Sequence, residues 1–158
     1  MESPRRAARG KMTPRRWIWT AVAIQVLGLA FDAVWHGLLH PGFEAVTVHQ
    51  MVVHLGTVHL PIYIGVVSVL LTTAWALVDR MRRSPTDVAL PVAFAGAVVS
   101  TAGEGWHAYG HLQLSTHTGP MAEATAGFGL VVVVLALWLD GGRDRQRGAG
   151  RVDKRRAA

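Results

Sequence analysis

The sequence predicts an all-α integral membrane protein in which four transmembrane helices form a bundle. Of its 158 residues, 51% are hydrophobic and only 16% are charged. No Lys or Arg occurs between Arg16 and Arg80, and none occurs between Arg83 and Arg143. A water-soluble domain needs basic residues spread around its surface, so two gaps of this length exclude an ordinary soluble fold.

Four apolar stretches are long enough to cross a hydrocarbon core, which takes about 20 helical residues. They are residues 17–39, 52–78, 88–110 and 121–139, and residues with turn chemistry separate them at 40–42, 82–85 and 118–120. The transmembrane domain is therefore predicted over residues 17–139. The flanking segments, residues 1–16 and 140–158, are rich in Arg, Gly and Ala and are predicted to be disordered basic tails.

The basic residues also predict the orientation of the chain in the membrane. Six Lys or Arg precede the first span, three lie in residues 80–83, and seven follow residue 142, which accounts for all 16. By the positive-inside rule, both termini and the middle loop are cytoplasmic in a multi-pass protein of the plasma membrane. The basic residues form no folded basic face, so no nucleic-acid partner is expected. The expected partners are the lipid bilayer and either further copies of the chain or other membrane subunits.

Ionisable residues collect at the predicted outer ends of the spans. All eight histidines lie there or in outward loops, at the same level as three acidic residues inside the spans. Ionisable groups within a membrane segment are costly and mark function by default. The predicted metal ligands among them are Asp32, His36, His49, His54, His59, Glu104, His107, His111 and Glu123.

Two short segments repeat one pattern: an acid, a spacer, Trp-His, three residues and a second His. They are residues 32–40 at the end of the first span and residues 104–111 at the end of the third. Helical spacing places the acid and both histidines of each copy on one face, so we expect His40 to share a face with Asp32 and His36. Each copy begins a two-helix unit, which suggests two parallel repeats related by an axis along the membrane normal. His54 and His59, five residues apart in the second span, are predicted to lie only loosely on one side.

Imidazole and carboxylate together suit copper, iron, zinc or manganese, and the absence of Cys removes thiolate ligands. Glu104 and His107 have the Glu-x-x-His spacing with which helix bundles hold two metals. The helices offer at least seven donors, more than one four-coordinate metal requires. The sequence therefore predicts either two metals or one metal whose ligands are oriented by the remaining polar groups.

Asp32, His36 and His49 follow the spacing Asp-x3-His-x12-His, with Trp35 before the first His and Leu-Pro-Ile-Tyr-Ile at residues 60–64. This segment resembles the intramembrane copper-site segment found in one of the three subunits of the particulate methane and ammonia monooxygenases. The resemblance implies that Asp32, His36 and His49 bind copper at a helix pair. It covers residues 32–64 only, and the monooxygenase polypeptide is longer, has more helices and works with two partner subunits. The resemblance therefore supports a transition-metal site on the outer side of the membrane more than it supports oxidation of alkanes or ammonia.

The leading interpretation is a membrane metalloprotein resembling a copper- or iron-dependent oxidase or monooxygenase, with copper favoured over iron or zinc. One alternative is a metal-binding or transport protein without catalysis. Another is an electron carrier that binds haem b through a pair such as His54 or His59 with His107 or His111. A fourth interpretation is a metal-free ion pair between Asp32 and His36. No catalytic residue is assigned, and the motifs of kinases and common hydrolases do not occur.

Overall fold

The structure is a computed structural model that describes residues 14–82, 88–114 and 120–156. Beyond residue 141 it describes the backbone alone. It confirms the all-α class, because these residues form helices and no strand. The helices are α1 (Pro14–Val34), α2 (Val48–Thr57), α3 (Leu60–Met81), α4 (Ala89–Leu112) and α5 (Pro120–Arg156). A π-helical turn over Trp35–Leu39 extends α1.

Three of the described helical stretches are both long and apolar enough to cross a bilayer: Pro14–Leu39, Leu60–Met81 and Pro120–Gly141. The third predicted span corresponds to α4, which has 24 residues and is rich in Ala and Gly. At about 36 Å, α4 is longer than a hydrocarbon core of roughly 30 Å, although its hydropathy is lower than that of the other three.

Large apolar side chains cover the outside of the helices, whereas small ones fill the inside. Leu27, Leu71 and Phe128 are 69%, 62% and 64% exposed, and many other Val, Leu and Trp side chains face outward. The interior includes several alanines together with Thr73 and Ser100, both fully buried. Small residues inside and large apolar residues outside are typical of helices that pack against one another in lipid.

The helices associate as two antiparallel pairs, α1 with α3 and α4 with α5, and contacts between α3 and α4 join the pairs. Glycines bring each pair close together. A Cβ atom built on Gly65 of α3 would lie 2.4 Å from the Cα of Gln25 in α1, and one built on Gly103 of α4 would lie 2.4 Å from the backbone N of Ala126 in α5. Only glycine fits such an approach without moving the helices. Each pair contains one helix that carries a copy of the acid-histidine segment.

The second predicted span, residues 52–78, is not one helix. Helix α2 ends at Thr57 and α3 begins at Leu60, with Pro61 in its first turn. Proline lacks an N–H group and suits the start of a helix, while it disfavours helical backbone in the residue before it. The described residues therefore contain five α-helices where the sequence predicts four.

The structure also corrects the predicted limits of the tails. Helix α1 already begins at Pro14, and the helical backbone of α5 continues to Arg156 instead of ending near residue 139. After Pro120 the chain contains no further proline, and the Arg, Lys, Gln and Ala residues beyond the predicted boundary are good helix formers, although Gly141 and Gly142 at the boundary are poor ones. Residues 1–13 of the predicted N-terminal tail, most of the 82–85 loop and His117 lie outside the described residues.

Candidate metal centre

Polar side chains from four helices and the segments between them converge on a cavity of about 380 Å³ at one end of the bundle, which we call the histidine cavity. Its wall is formed by the end of α1, the π-helical turn, the loop that follows this turn, α2, the break before α3, the end of α4 and the start of α5. The opposite end holds an ion pair between Arg15 and Asp140, at 3.8 Å. The ionisable residues that line the cavity are Asp32, His36, Glu44, His54, His59, His107, His111 and Glu123.

The π-helical turn decides which residues of the first acid-histidine segment face the cavity. The N–H of His40 donates to the carbonyl of Trp35 at 2.8 Å, a bond spanning five residues instead of four. Asp32 and His36 line the cavity, but the wider turn rotates His40 away, where it is exposed and packs on Trp35 with ring centroids 4.5 Å apart. The prediction that His40 shares their face was wrong. Single π-helical turns of this kind occur frequently at functional sites.

The break between α2 and α3 places His59 in the middle of the cavity. Its side chain is only 2% exposed, and its Nε2 lies 3.2 Å from Nε2 of His54 and 3.5 Å from Oδ1 of Asp32. On one continuous helix, residues 54 and 59 would lie only loosely on one side, as the sequence predicts. Because the chain turns between them, the two rings are in direct contact.

Helices α4 and α5 supply the other wall. His107 and His111 approach each other with their Nε2 atoms 2.9 Å apart. Nδ1 of His107 lies 3.8 Å from Oε1 of Glu123, which belongs to the first turn of α5. Glu104 is also buried, but it lies one helical turn further into the bundle and does not line the cavity. Three of the four predicted ligands in this half thus meet at the cavity.

Five imidazoles form two groups of metal-ligand geometry. The first triad is His36, His54 and His59, and the second triad is His59, His107 and His111. Within each triad, one ring nitrogen from every residue lies within 4.8 Å of the others. A tetrahedral metal with nitrogen ligands at 2.0–2.1 Å needs those nitrogens about 3.4 Å apart. Small side-chain rotations therefore suffice to bring either triad around an ion.

Burial keeps two of the histidines in the cavity, His54 and His59, neutral. Burial first, and then the neighbouring rings of His54 and His111 when they are charged, lower the pKa of His59 to about 3. The pKa of His54 is also lowered, mainly by burial and then by His36. Neutral imidazole is the form that binds metal. The surroundings of these two rings therefore keep them in the form that can bind a metal.

His49 is the predicted ligand that lies farthest from this arrangement. It is exposed and lines a neighbouring groove of about 600 Å³ together with Trp35 and Val53, and it belongs to neither triad. Of the set Asp32, His36 and His49, the structure thus brings only the first two together at the histidine cavity.

The sequence analysis missed Glu44 in the cavity wall. It is an acid in the loop after the π-helical turn, and its position four residues beyond His40 was the available signal. Buried Met51 also lines the cavity and adds a thioether.

Comparison with known proteins finds no matching family model, no matching curated protein and no matching solved structure. The interpretation of the site therefore depends on its own geometry.

Proposed function

We propose that this chain is an integral membrane metalloprotein that binds a transition-metal ion in the histidine cavity. The observation that carries the proposal is the pair of imidazole triads around His59, a side chain that is 2% exposed. Five histidines inside a bundle of apolar helices would cost free energy if they served packing alone, because each removes polar nitrogen atoms from water. A metal ion compensates that cost because it uses the nitrogens as ligands.

Copper is the ion that this donor set favours, ahead of iron and zinc. Imidazoles outnumber the nearby carboxylates, whereas the di-iron bundles rely mainly on glutamates. The thioether of Met51 lines the same cavity and suits copper(I), and no thiolate is present to favour zinc. The resemblance of residues 32–64 to a copper-site segment agrees with this choice. The cavity is larger than an ion needs, which leaves space for a small oxidant or substrate and favours an oxidase- or monooxygenase-like role.

Direct contacts between the rings argue for an ion rather than haem b. In a bis-histidine haem the two axial rings lie on opposite faces of the macrocycle. Here His54 touches His59, and His107 touches His111, at nitrogen separations of 3.2 and 2.9 Å. The ring centroids of His59 and His111 are 5.4 Å apart. A haem between His59 and His111 would have to displace His54 and His107, which contact these two rings.

We also infer that α4 spans the membrane beside the three more apolar helices, with both termini on the cytoplasmic side. It packs along α5 through Gly96 and Gly103, so it runs through the same layer as a helix that is long and apolar enough to cross. Arg15, Arg80 and Arg82 lie at the end of the bundle remote from the histidine cavity. Under the positive-inside rule that end is cytoplasmic and the cavity opens outward.

Copper binding by matched variants tests the metal site. The metal-free protein in a mild detergent is titrated with copper(II), and bound copper is measured after dialysis. His54 and His49 lie on the same short helix, but only His54 belongs to a triad. We expect His54→Ala to weaken copper binding by at least about tenfold, and His49→Ala to leave it unchanged. Absence of copper binding by the parent protein would refute the proposal. Loss in His49→Ala alone would favour Asp32, His36 and His49 as the ligands.

A further inference from the structure

The two triads have the same composition once their carboxylates are included. Asp32 Oδ1 lies 3.6 Å from Nε2 of His36 and 3.5 Å from Nε2 of His59, in the first triad. Glu123 Oε1 lies 3.8 Å from Nδ1 of His107, in the second. A carboxylate therefore lies beside each triad, Asp32 at nitrogens of His36 and His59, and Glu123 at the nitrogen of His107 that points away from His111. His59 is the single residue that belongs to both triads.

Three buried polar atoms at the cavity have no hydrogen-bond partner within the part of the chain that the structure describes. They are Oδ1 of Asp32, Nδ1 of His59 and Nδ1 of His111. Buried polar atoms are nearly always paired, so three such atoms around one cavity indicate a bound ligand. Asp32 lies beside the first triad, His111 belongs to the second, and the third atom belongs to the ring that the two triads share.

His59 presents a different environment to each of its ring nitrogens. Its Nε2 faces His54 and Asp32, while its Nδ1, on the other side of the ring, is buried without a hydrogen-bond partner among the described residues. The two nitrogens of an imidazole point away from each other, and each has one lone pair once the ring has lost its N–H proton. A ring in this position can bind one ion on each side.

We propose that the histidine cavity binds two divalent metal ions, one in each triad, and that His59 bridges them through its two ring nitrogens. This inference rests on the proposed function. When the second ion binds, the remaining N–H proton of His59 passes to water and the ring becomes an anion. With Asp32 and Glu123 ionised, three negative charges offset the four positive charges of the ions. Metal–nitrogen bonds of about 2.0 Å on both sides of one ring separate the ions by about 6 Å.

A single ion explains less of this geometry. Bound in the first triad, one ion would use Nε2 of His59 and would leave His107, His111 and Glu123 as a second, incomplete set. Nδ1 of His59 would also remain buried without a ligand. Two bridged ions use all five imidazoles; Asp32 lies beside the first ion, and Glu123 accepts the N–H of His107 and orients that ring towards the second.

Copper stoichiometry and electron paramagnetic resonance test the bridge in the full-length protein in detergent. We expect two tightly bound copper(II) ions per chain in the parent and in His49→Ala, but one in His36→Ala and one in His111→Ala. An imidazolate bridge couples the two spins, so the parent should show clearly less signal than two isolated ions. Each single-ion variant should regain the full signal of one isolated ion.

The outcomes separate this inference from the function on which it rests. One copper per chain in the parent, lost in His54→Ala, overturns the bridge and leaves the metalloprotein proposal intact. Two coppers with uncoupled spins overturn the bridge as well. No bound copper overturns both proposals. His36 and His111 are partly exposed, so their replacement perturbs folding less than replacement of His59, and circular dichroism verifies that the variants remain helical.

Discussion

The packing of α4 on α5 leads to a prediction in which two glycines of one helix respond oppositely to the same substitution. A Cβ atom on Gly103 would lie 2.4 Å from the backbone N of Ala126 and 2.9 Å from the carbonyl oxygen of Ala122. These are backbone atoms, which cannot rotate away. The nearest contact is about 1 Å shorter than ordinary van der Waals contact, so the two helices must separate by roughly that distance. A Cβ atom on Gly105 meets no other atom within 4 Å.

The two variants isolate the cost of this overlap. Both residues lie within α4, so Gly→Ala gains about the same helix propensity, up to about 1 kcal/mol, at either position. Overpacking costs about 1–3 kcal/mol. The free energy of unfolding of Gly103→Ala should therefore be about 1–3 kcal/mol lower than that of Gly105→Ala, measured as loss of helical circular dichroism during denaturation in detergent. Separation of the helices should also weaken copper binding, because His107 lies on α4 and Glu123 on α5. Equal stabilities, or a less stable Gly105→Ala, would refute the packing described here.

Three further predictions concern charge, orientation and chemistry. Because the pKa of His59 is about 3 against an ordinary 6.5, unfolding of the metal-free protein takes up a proton between these values. The contribution of His59 to the free energy of unfolding is therefore fully present above pH 6.5 and is lost, by at most about 5 kcal/mol, as the pH falls towards 3. Denaturation at several pH values measures this dependence, which should be flatter in His59→Gln. In intact cells, His49→Cys should react with a membrane-impermeant thiol reagent and Ser84→Cys should not; labelling of Ser84→Cys alone reverses the orientation. Azide should shift the absorption spectrum of the copper(II) form if a coordination position is open, and a spectrum insensitive to both azide and cyanide favours a closed storage site.

The sequence predicts the helical class and most of the ionisable side chains that line the histidine cavity, because hydropathy and the cost of buried charge both act over long stretches of chain. It does not predict how the donors meet. The π-helical turn after Val34 changes the direction of the side chains within one turn, so regular helical spacing misplaces His40. The break before Pro61 does the same between His54 and His59, so regular spacing underestimates their contact. Helix α5 extends beyond its predicted end since loss of hydropathy marks the limit of a span but not the limit of a helix.

The connectivity of the bundle explains why His59 belongs to both triads. Helix α3 packs on both α1 and α4 and makes most of the contacts between the two helix pairs. His59, directly before this helix, therefore lies between the first acid-histidine segment and the second. Deeper in the bundle, the amide of Gln25 in α1 donates to Ser100 in α4 at 3.1 Å, which ties the same two pairs together. A displacement between the pairs would consequently alter the distances from His59 to the other members of both triads at once, which makes the geometry of the two proposed metal positions interdependent.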